Sequence, residues 1–201
     1  MKEEARNQRQ RDILDAALAQ LMEAGFAGTT MQAVARRAGA SMETLYNWYG
    51  DKAGLFRAMV MANIQHLRSQ LETHLHDPAG PEAVLAAFGP RLLEVLTSER
   101  VVALNRAAVA DASGDLGRII ASAGRQSIAP LVAGAFAEAD RQGLLRVPDP
   151  QEAAEIYLGL LIGDLQIRRV VARMPPPDAA EIERRASRAL HISLGLWAPE
   201  T

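Results

Sequence analysis

The glycines at positions 25, 39 and 50 constrain this chain more than any other feature. Each closes a stretch whose apolar residues repeat at the α-helical period, so the first fifty residues are cut into short helical pieces set at angles. The first piece runs from about Asn7 to Ala24, with Ile13, Ala17, Leu18, Leu21 and Met22 on one stripe. Thr29 and Gln32 have the spacing of a capping box, and a second helix follows over about Met31 to Ala38 with Met31, Val34 and Ala35 facing inward. Ser41 is the natural N-cap of the third, which carries Leu45, Trp48 and Tyr49. Asp51 then caps a longer helix through Leu55, Phe56, Met59, Val60, Ile64, Leu67 and Leu71.

The rest of the chain has the same grammar. A break at Asp77-Pro78-Ala79-Gly80-Pro81 precedes helices over about Pro81 to Thr97, Ser98 to Asp111 and Leu116 to Arg141, with Pro130 a point where the last of these kinks or splits. Asp149, Pro150 and Glu152 form a helix start, and that helix extends to about Arg173. Met174-Pro175-Pro176-Pro177 is a rigid stop, and Asp178 caps a final helix to about Trp197. No strand pattern, repeat or low-complexity segment interrupts the series. The expectation is an all-α protein of about nine helices, in keeping with 49% hydrophobic residues, many of them Ala and Leu.

Composition removes several functions. The 201 residues contain no cysteine, which excludes disulfides, thiolate metal sites and a Cys nucleophile. The start, MKEEARNQRQRD, has no apolar core and does not read as a signal peptide. The longest apolar run, 156 to 162, is too short to span a bilayer, so a cytoplasmic protein with no membrane partner is expected. Net charge is -2. Arg6, Arg9, Arg11, Arg36, Arg37 and Lys52 in the first quarter are nearly balanced by Glu3, Glu4, Asp12, Glu23, Glu43 and Asp51. A local basic face is possible there and a strong field is not.

Two short helices joined by Gly39-Ala40-Ser41 make a helix-turn-helix, a corner that by itself occurs in many helical proteins. The particular residues say more. Thr29-Thr30, then Ala35-Arg36-Arg37-Ala38-Gly39-Ala40-Ser41, then Thr44-Leu45-Tyr46, Tyr49 and Lys52-Ala53-Gly54-Leu55 resemble the DNA-binding domain of the TetR/AcrR family of transcriptional regulators over about residues 8 to 56. The run from Gln142 to Pro150, Ala153-Ala154 and Leu158-Gly159-Leu160-Leu161-Ile162-Gly163 resemble the C-terminal half of AcrR-like members more loosely. The resemblance implies residues 1–52 as a DNA-binding domain and 53–201 as a ligand-binding and dimerisation domain.

Under that resemblance Tyr46 donates to a DNA phosphate, and Ser41, Thr44, Thr30 and Lys52 contact or clamp phosphate around it. Asn47 is the candidate for reading a base edge, since its amide pairs bidentately with adenine; the alternative is an asparagine facing water. Met42 and Glu43 depart from the family. Met42 offers apolar contact to a thymine methyl or does nothing specific, and Glu43 faces the helix N-terminus or accepts from cytosine. Of Arg36 and Arg37 one can reach backbone or guanine, and the sequence does not choose; Arg36 is carried as the candidate. Tyr49 matches a core position, whereas Trp48 wedges against the first helix or the DNA backbone.

Outside this unit, His66, His74 and His76 lack the spacing for zinc on one helical face and read as solvated or pocket-lining. Asp111, Ser113 and Asp115 read as helix caps. No catalytic constellation stands out, and no cofactor or metal is expected. A pocket for a small hydrophobic ligand is expected among Met59, Phe88, Leu92, Asn105, Arg106, Gln126, Phe136 and Tyr157. Gly159 and Gly163, four apart, with Ala186, Leu190 and Leu194 on the last helix, suggest a homodimer face, and Asp164 has the spacing to pair with Arg168. The function expected is a ligand-responsive repressor of a palindromic operator. Its rivals are a ligand-binding helical protein with an idle helix-turn-helix and an all-α enzyme.

Overall fold

The computed structural model describes residues 2–74, 80–172 and 174–199, which include eleven α-helices and no strand. The long first helix α1 (Lys2–Gly28) starts earlier than the apolar stripe does, and it bends at Gly25, where φ is 67°. Then come α2 (Met31–Ala38), α3 (Met42–Tyr49) and α4 (Lys52–His74). The remaining helices are α5 (Gly80–Thr97), α6 (Glu99–Val109), α7 (Asp115–Ile120), α8 (Gln126–Arg141), α9 (Pro150–Ile162), α10 (Leu165–Ala172) and α11 (Ala179–Leu196). The side chains of His66 and His74, and residue 76 altogether, fall outside what is described.

Two of the expected helices are each split in the structure, which raises the count from nine to eleven. Residues 116–141 are divided by a π turn, Ala121–Arg125, and not at Pro130, which stays inside α8. A proline ring crowds the carbonyl four residues back, here Gln126, and the wide turn ends immediately before that residue. Residues 150–173 are divided at Gly163, whose φ of 50° and ψ of −132° suit a residue without Cβ; its N–H returns to Gly159 O at 2.9 Å.

Short-range signals place the caps. Ser98 Oγ accepts from Val101 N, Asp149 Oδ1 from Gln151 N and Asp178 Oδ1 from Glu181 N. The N-cap of α7 is Gly114, and Asp111 braces the loop before it, accepting from Leu116 N at 2.9 Å and Ser113 N at 3.2 Å. Those bonds, the Leu116 N–H first, hold its carboxyl below the usual range.

Buried side chains form two clusters, and α4 runs through both. Leu67 and Leu71 lie with Leu85, Phe88, Leu93, Val132, Phe136, Tyr157, Leu161 and Ile182 in the larger one. There the Tyr157 hydroxyl donates to Leu85 O at 3.1 Å, and burial raises its pKa. Leu55, Phe56, Met59 and Val60 lie in the other cluster with Ile13, Ala17, Leu21, Val34, Ala35 and Leu45. That second cluster also takes in Leu104 and Ala107 of α6 and Leu116 and Ile119 of α7. Each buried Val, Leu, Ile, Phe or Met among them contributes roughly 1.5–3 kcal/mol by leaving water. The first helix therefore rests on α6 as well as on α4, with α7 packed behind them, and packing does not stop at residue 52.

Candidate functional site

The helix-turn-helix is built by caps. Thr30, not Thr29, caps α2: it is extended at φ −116°, ψ 152°, and its Oγ1 accepts from Ala33 N at 3.1 Å. Thr29 is buried and donates its hydroxyl to Gly25 O at 2.7 Å, because the bend at Gly25 turns it toward the core. Gly39 sits at φ 60°, ψ 30°, the left-handed geometry that lets α2 stop and the chain turn sharply. Arg9 of α1 donates to Ala38 O at 3.0 Å and also to Gly39 O, tying the turn to the first helix.

Ser41 caps α3, accepting from Thr44 N at 3.1 Å, and its hydroxyl pairs with that of Thr44 at 2.8 Å. Leu45 is wholly buried and anchors the helix. The i, i+4 pairs Met42–Tyr46 and Glu43–Asn47 then stand outward, all four residues exposed, Tyr46 by 50%. Trp48 lies against α1, with the Arg6 guanidinium 5.8 Å above its ring and the Tyr49 ring edge-on at 6.4 Å. Tyr49 is half-buried; burial raises its phenol pKa.

The two adjacent arginines part company. Arg37 makes two bonds of 2.6 Å to the Glu23 carboxylate of α1, a hydrogen-bonded pair that holds Glu23 below its ordinary pKa. Arg36 is exposed, and its guanidinium has no hydrogen bond or ion pair among the described residues. Lys52, expected at a phosphate, rests its ammonium 3.9 Å over the Phe26 ring, and partial desolvation lowers its pKa.

A cavity of about 590 Å³ opens in the middle of the chain. Val60, Asn63 and Ile64 of α4, Leu92 and Leu96 of α5, and Val101, Leu104 and Asn105 of α6 form one side. Gly117 and Ile120 of α7, Gly124 and Arg125 of the π turn, Leu158 of α9 and Gln166 and Ile167 of α10 are among the residues opposite. Of the expected pocket residues, Leu92 and Asn105 are on this wall. Met59, Phe88, Phe136 and Tyr157 instead fill the core, Phe136 packing edge-on against Tyr157 at 6.0 Å. Arg106 reaches away, donating to Val170 O at 3.0 Å and Arg169 O at 2.9 Å. Gln126 faces a separate surface groove with Arg57 and Arg118.

The expected dimer residues are also dispersed. Gly159 is exposed on α9, and Gly163, also exposed, ends that helix one turn further on. An added Cβ at Gly163 would come within 2.9 Å of Arg185 Nη1, which donates to Ile162 O and closes the end of α9 within the same chain. Ala186 is buried in the core, and Leu190 and Leu194 are half-buried against it. Asp164 and Arg168 do pair, at 3.8 Å on the surface.

Comparison with known proteins gives two family matches. The C-terminal domain of AefR-like transcriptional repressors matches residues 83–199, and the tetR family of bacterial regulatory proteins matches residues 13–59. This chain belongs to the TetR family. It is a transcriptional regulator and not an enzyme. Three solved regulators share its architecture. A TetR regulator from Agrobacterium tumefaciens is 32% identical, with 96% of this chain and 95% of that one covered and a TM-score of 0.75. A family member from Mesorhizobium loti MAFF303099 is 28% identical over 96% and 98%, with a TM-score of 0.80. The flavonoid-responsive regulator FrrA is 27% identical over 97% and 100%, with a TM-score of 0.70. The HTH-type regulator BetI of Burkholderia thailandensis is 35% identical over 66 residues, and the chain spans 34% of its length.

Among the contacts of this TetR-family regulator that escaped sequence reasoning, three long-range ones bear on its first helix. Arg9 to the Gly39 turn, Arg37 to Glu23 and Arg100 to Asp15 link residues 29, 14 and 85 positions apart. No local pattern encodes such partners; a charge on an exposed helical face reads the same whether it is paired or free. The cavity wall escaped for a related reason. An apolar stripe does not reveal whether it meets another side chain or a void.

Proposed function

We propose that this TetR-family regulator represses transcription by holding a palindromic operator as a homodimer, and that a small hydrophobic molecule in the central cavity releases it. Residues 1–52 are the DNA-reading part, and 53–201 carry ligand binding and dimerisation. Tyr46, Ser41, Thr44, Thr30 and Lys52 take phosphate, Asn47 reads a base edge, and Met42, Glu43 and the free Arg36 adjust preference. The protein acts in the cytoplasm, with its DNA.

One observation carries the regulatory reading: the cavity shares its wall with the helices on which the DNA-reading unit rests. Val60 packs in the cluster that holds Leu45 and Val34, and it also lines the cavity, as does Leu104 of α6. An occupant that presses on α4 and α6 therefore changes the seat of α3, and ligand and DNA compete through one helix. FrrA, a regulator of the same architecture, responds to flavonoids. For the dimer, the outer faces of α9 and α11 are the natural contact. Gly159, Leu160 and Ile192 line a shallow groove there, edged by Arg184 and Arg188. Two copies meeting through it would form an isologous four-helix bundle.

Selection of bound duplexes from a random pool tests the reading. The expected product is an inverted repeat whose half-sites are about one helical turn apart. Recovery of no preferred sequence at low salt would refute DNA reading. Sedimentation of Gly159→Glu tests the interface: monomers are expected, and an intact dimer would move the contact elsewhere.

A further inference from the structure

The cavity wall has a chemical signature that selects the class of its occupant. Its apolar residues are aliphatic: valine, leucine, isoleucine and alanine, with no aromatic ring among the described lining residues. A planar aromatic ligand would find nothing to stack on, whereas an aliphatic body meets methyl groups throughout. Gly117 and Gly124 widen the wall further, since a Cβ added at either would touch nothing within 4 Å.

The polar part of the wall is equally one-sided. Asn63, Asn105 and Gln166 spend amide hydrogens on helix carbonyls, bonding Met59 O at 2.7 Å, Val101 O at 2.9 Å and Leu96 O at 3.3 Å. They are neutral and tied back to the protein. The described lining has no carboxylate and one charged group, Arg125. Its guanidinium has no hydrogen bond or ion pair among the described residues. Arg125 closes the π turn and is exposed, so it stands at the rim, while Leu92, Leu104 and Leu158 are buried in the floor. Wide turns of this kind recur at functional sites because they shift side-chain register within a helix.

We infer that the occupant is an aliphatic monocarboxylate, its hydrocarbon body in the cavity and its carboxylate on Arg125 at the mouth. A planar guanidinium offers two parallel N–H donors to a carboxylate, and the arrangement leaves both charges partly hydrated. The inference rests on the cavity being the effector site.

Binding of decanoate, 1-decanol and decylamine to the purified full chain tests it, read by calorimetry at neutral pH. Decanoate is expected to bind about three- to tenfold tighter than decanol, with decylamine weakest. In Arg125→Gln that preference should collapse to near unity, and Arg125→Lys should retain part of it. Thermal unfolding of the free variants checks that they fold. Decanol binding as tightly as decanoate, or an unchanged preference in Arg125→Gln, overturns the inference and leaves the cavity as the effector site. Binding of none of the three overturns both.

Discussion

Arg100 of α6 joins the DNA-reading unit to the cavity: its Nη2 donates to Asp15 of α1 at 2.8 Å, and its Nε donates to Asn63 Oδ1 at 3.3 Å. Asn63 lines the cavity and also bonds Met59 O. One guanidinium thus touches α1, α4 and α6. The ion pair is exposed, 47% and 61% at its two ends, so its worth is small. A double-mutant cycle of Asp15→Asn and Arg100→Gln, read by urea unfolding, is expected to give a coupling of about 0.2–1 kcal/mol. In an Asn63→Ala background the coupling should shrink, because Asn63 orients the guanidinium. An unchanged coupling would mean that Asn63 has no part in the link.

Tyr46 is half exposed on the outer side of α3, with the Ser41–Thr44 hydroxyl pair at the start of the same helix. Tyr46→Phe removes one donor and leaves the ring. Affinity should fall about three- to tenfold on preferred and scrambled duplexes alike, as loss of one phosphate hydrogen bond requires. Fluorescence anisotropy on both duplexes checks this. A drop confined to the preferred duplex would show that Tyr46 reads sequence.

Arg36 and Arg37 separate in the same assay. Arg36→Ala should lower the salt dependence of DNA binding by about one ion, because a free cation at the interface displaces a counterion. Arg37→Ala should leave that slope alone, since Arg37 is committed to Glu23. Asn47→Ala should relax preference at one operator position by about 1–3 kcal/mol. Equal slopes for the two arginine variants would contradict their different roles.

Gly54, in the first turn of α4, is the position where a single methyl should do most damage. An added Cβ would fall 1.9 Å from Tyr49 O, a backbone atom that cannot swing aside. Gly54→Ala should therefore force the α3–α4 junction apart and cost about 1–3 kcal/mol of stability by thermal or urea unfolding. Ordinary replacement of a helical glycine by alanine stabilises instead, by about 0.5–1 kcal/mol. The sign of the change is thus the test.

The sequence by itself determined many features that depend on neighbours a few positions apart, though not the Thr30 cap, the π turn or the break at Gly163. The Ser41, Asp149 and Asp178 caps, the Gly39 corner and the inward set of Val34, Ala35 and Leu45 follow from hydrogen-bond reach and helical period. So do the four outward residues of α3, because one buried leucine in an eight-residue helix orients the others. Tertiary structure decided the rest. It tied Arg37 and left Arg36 free, put Tyr157 and Phe136 in solid core, and opened the cavity beside Asn105 and Arg125. Those outcomes depend on which helix faces which across tens of residues. Periodicity marks the side of a helix that is buried and is silent on what lies against it.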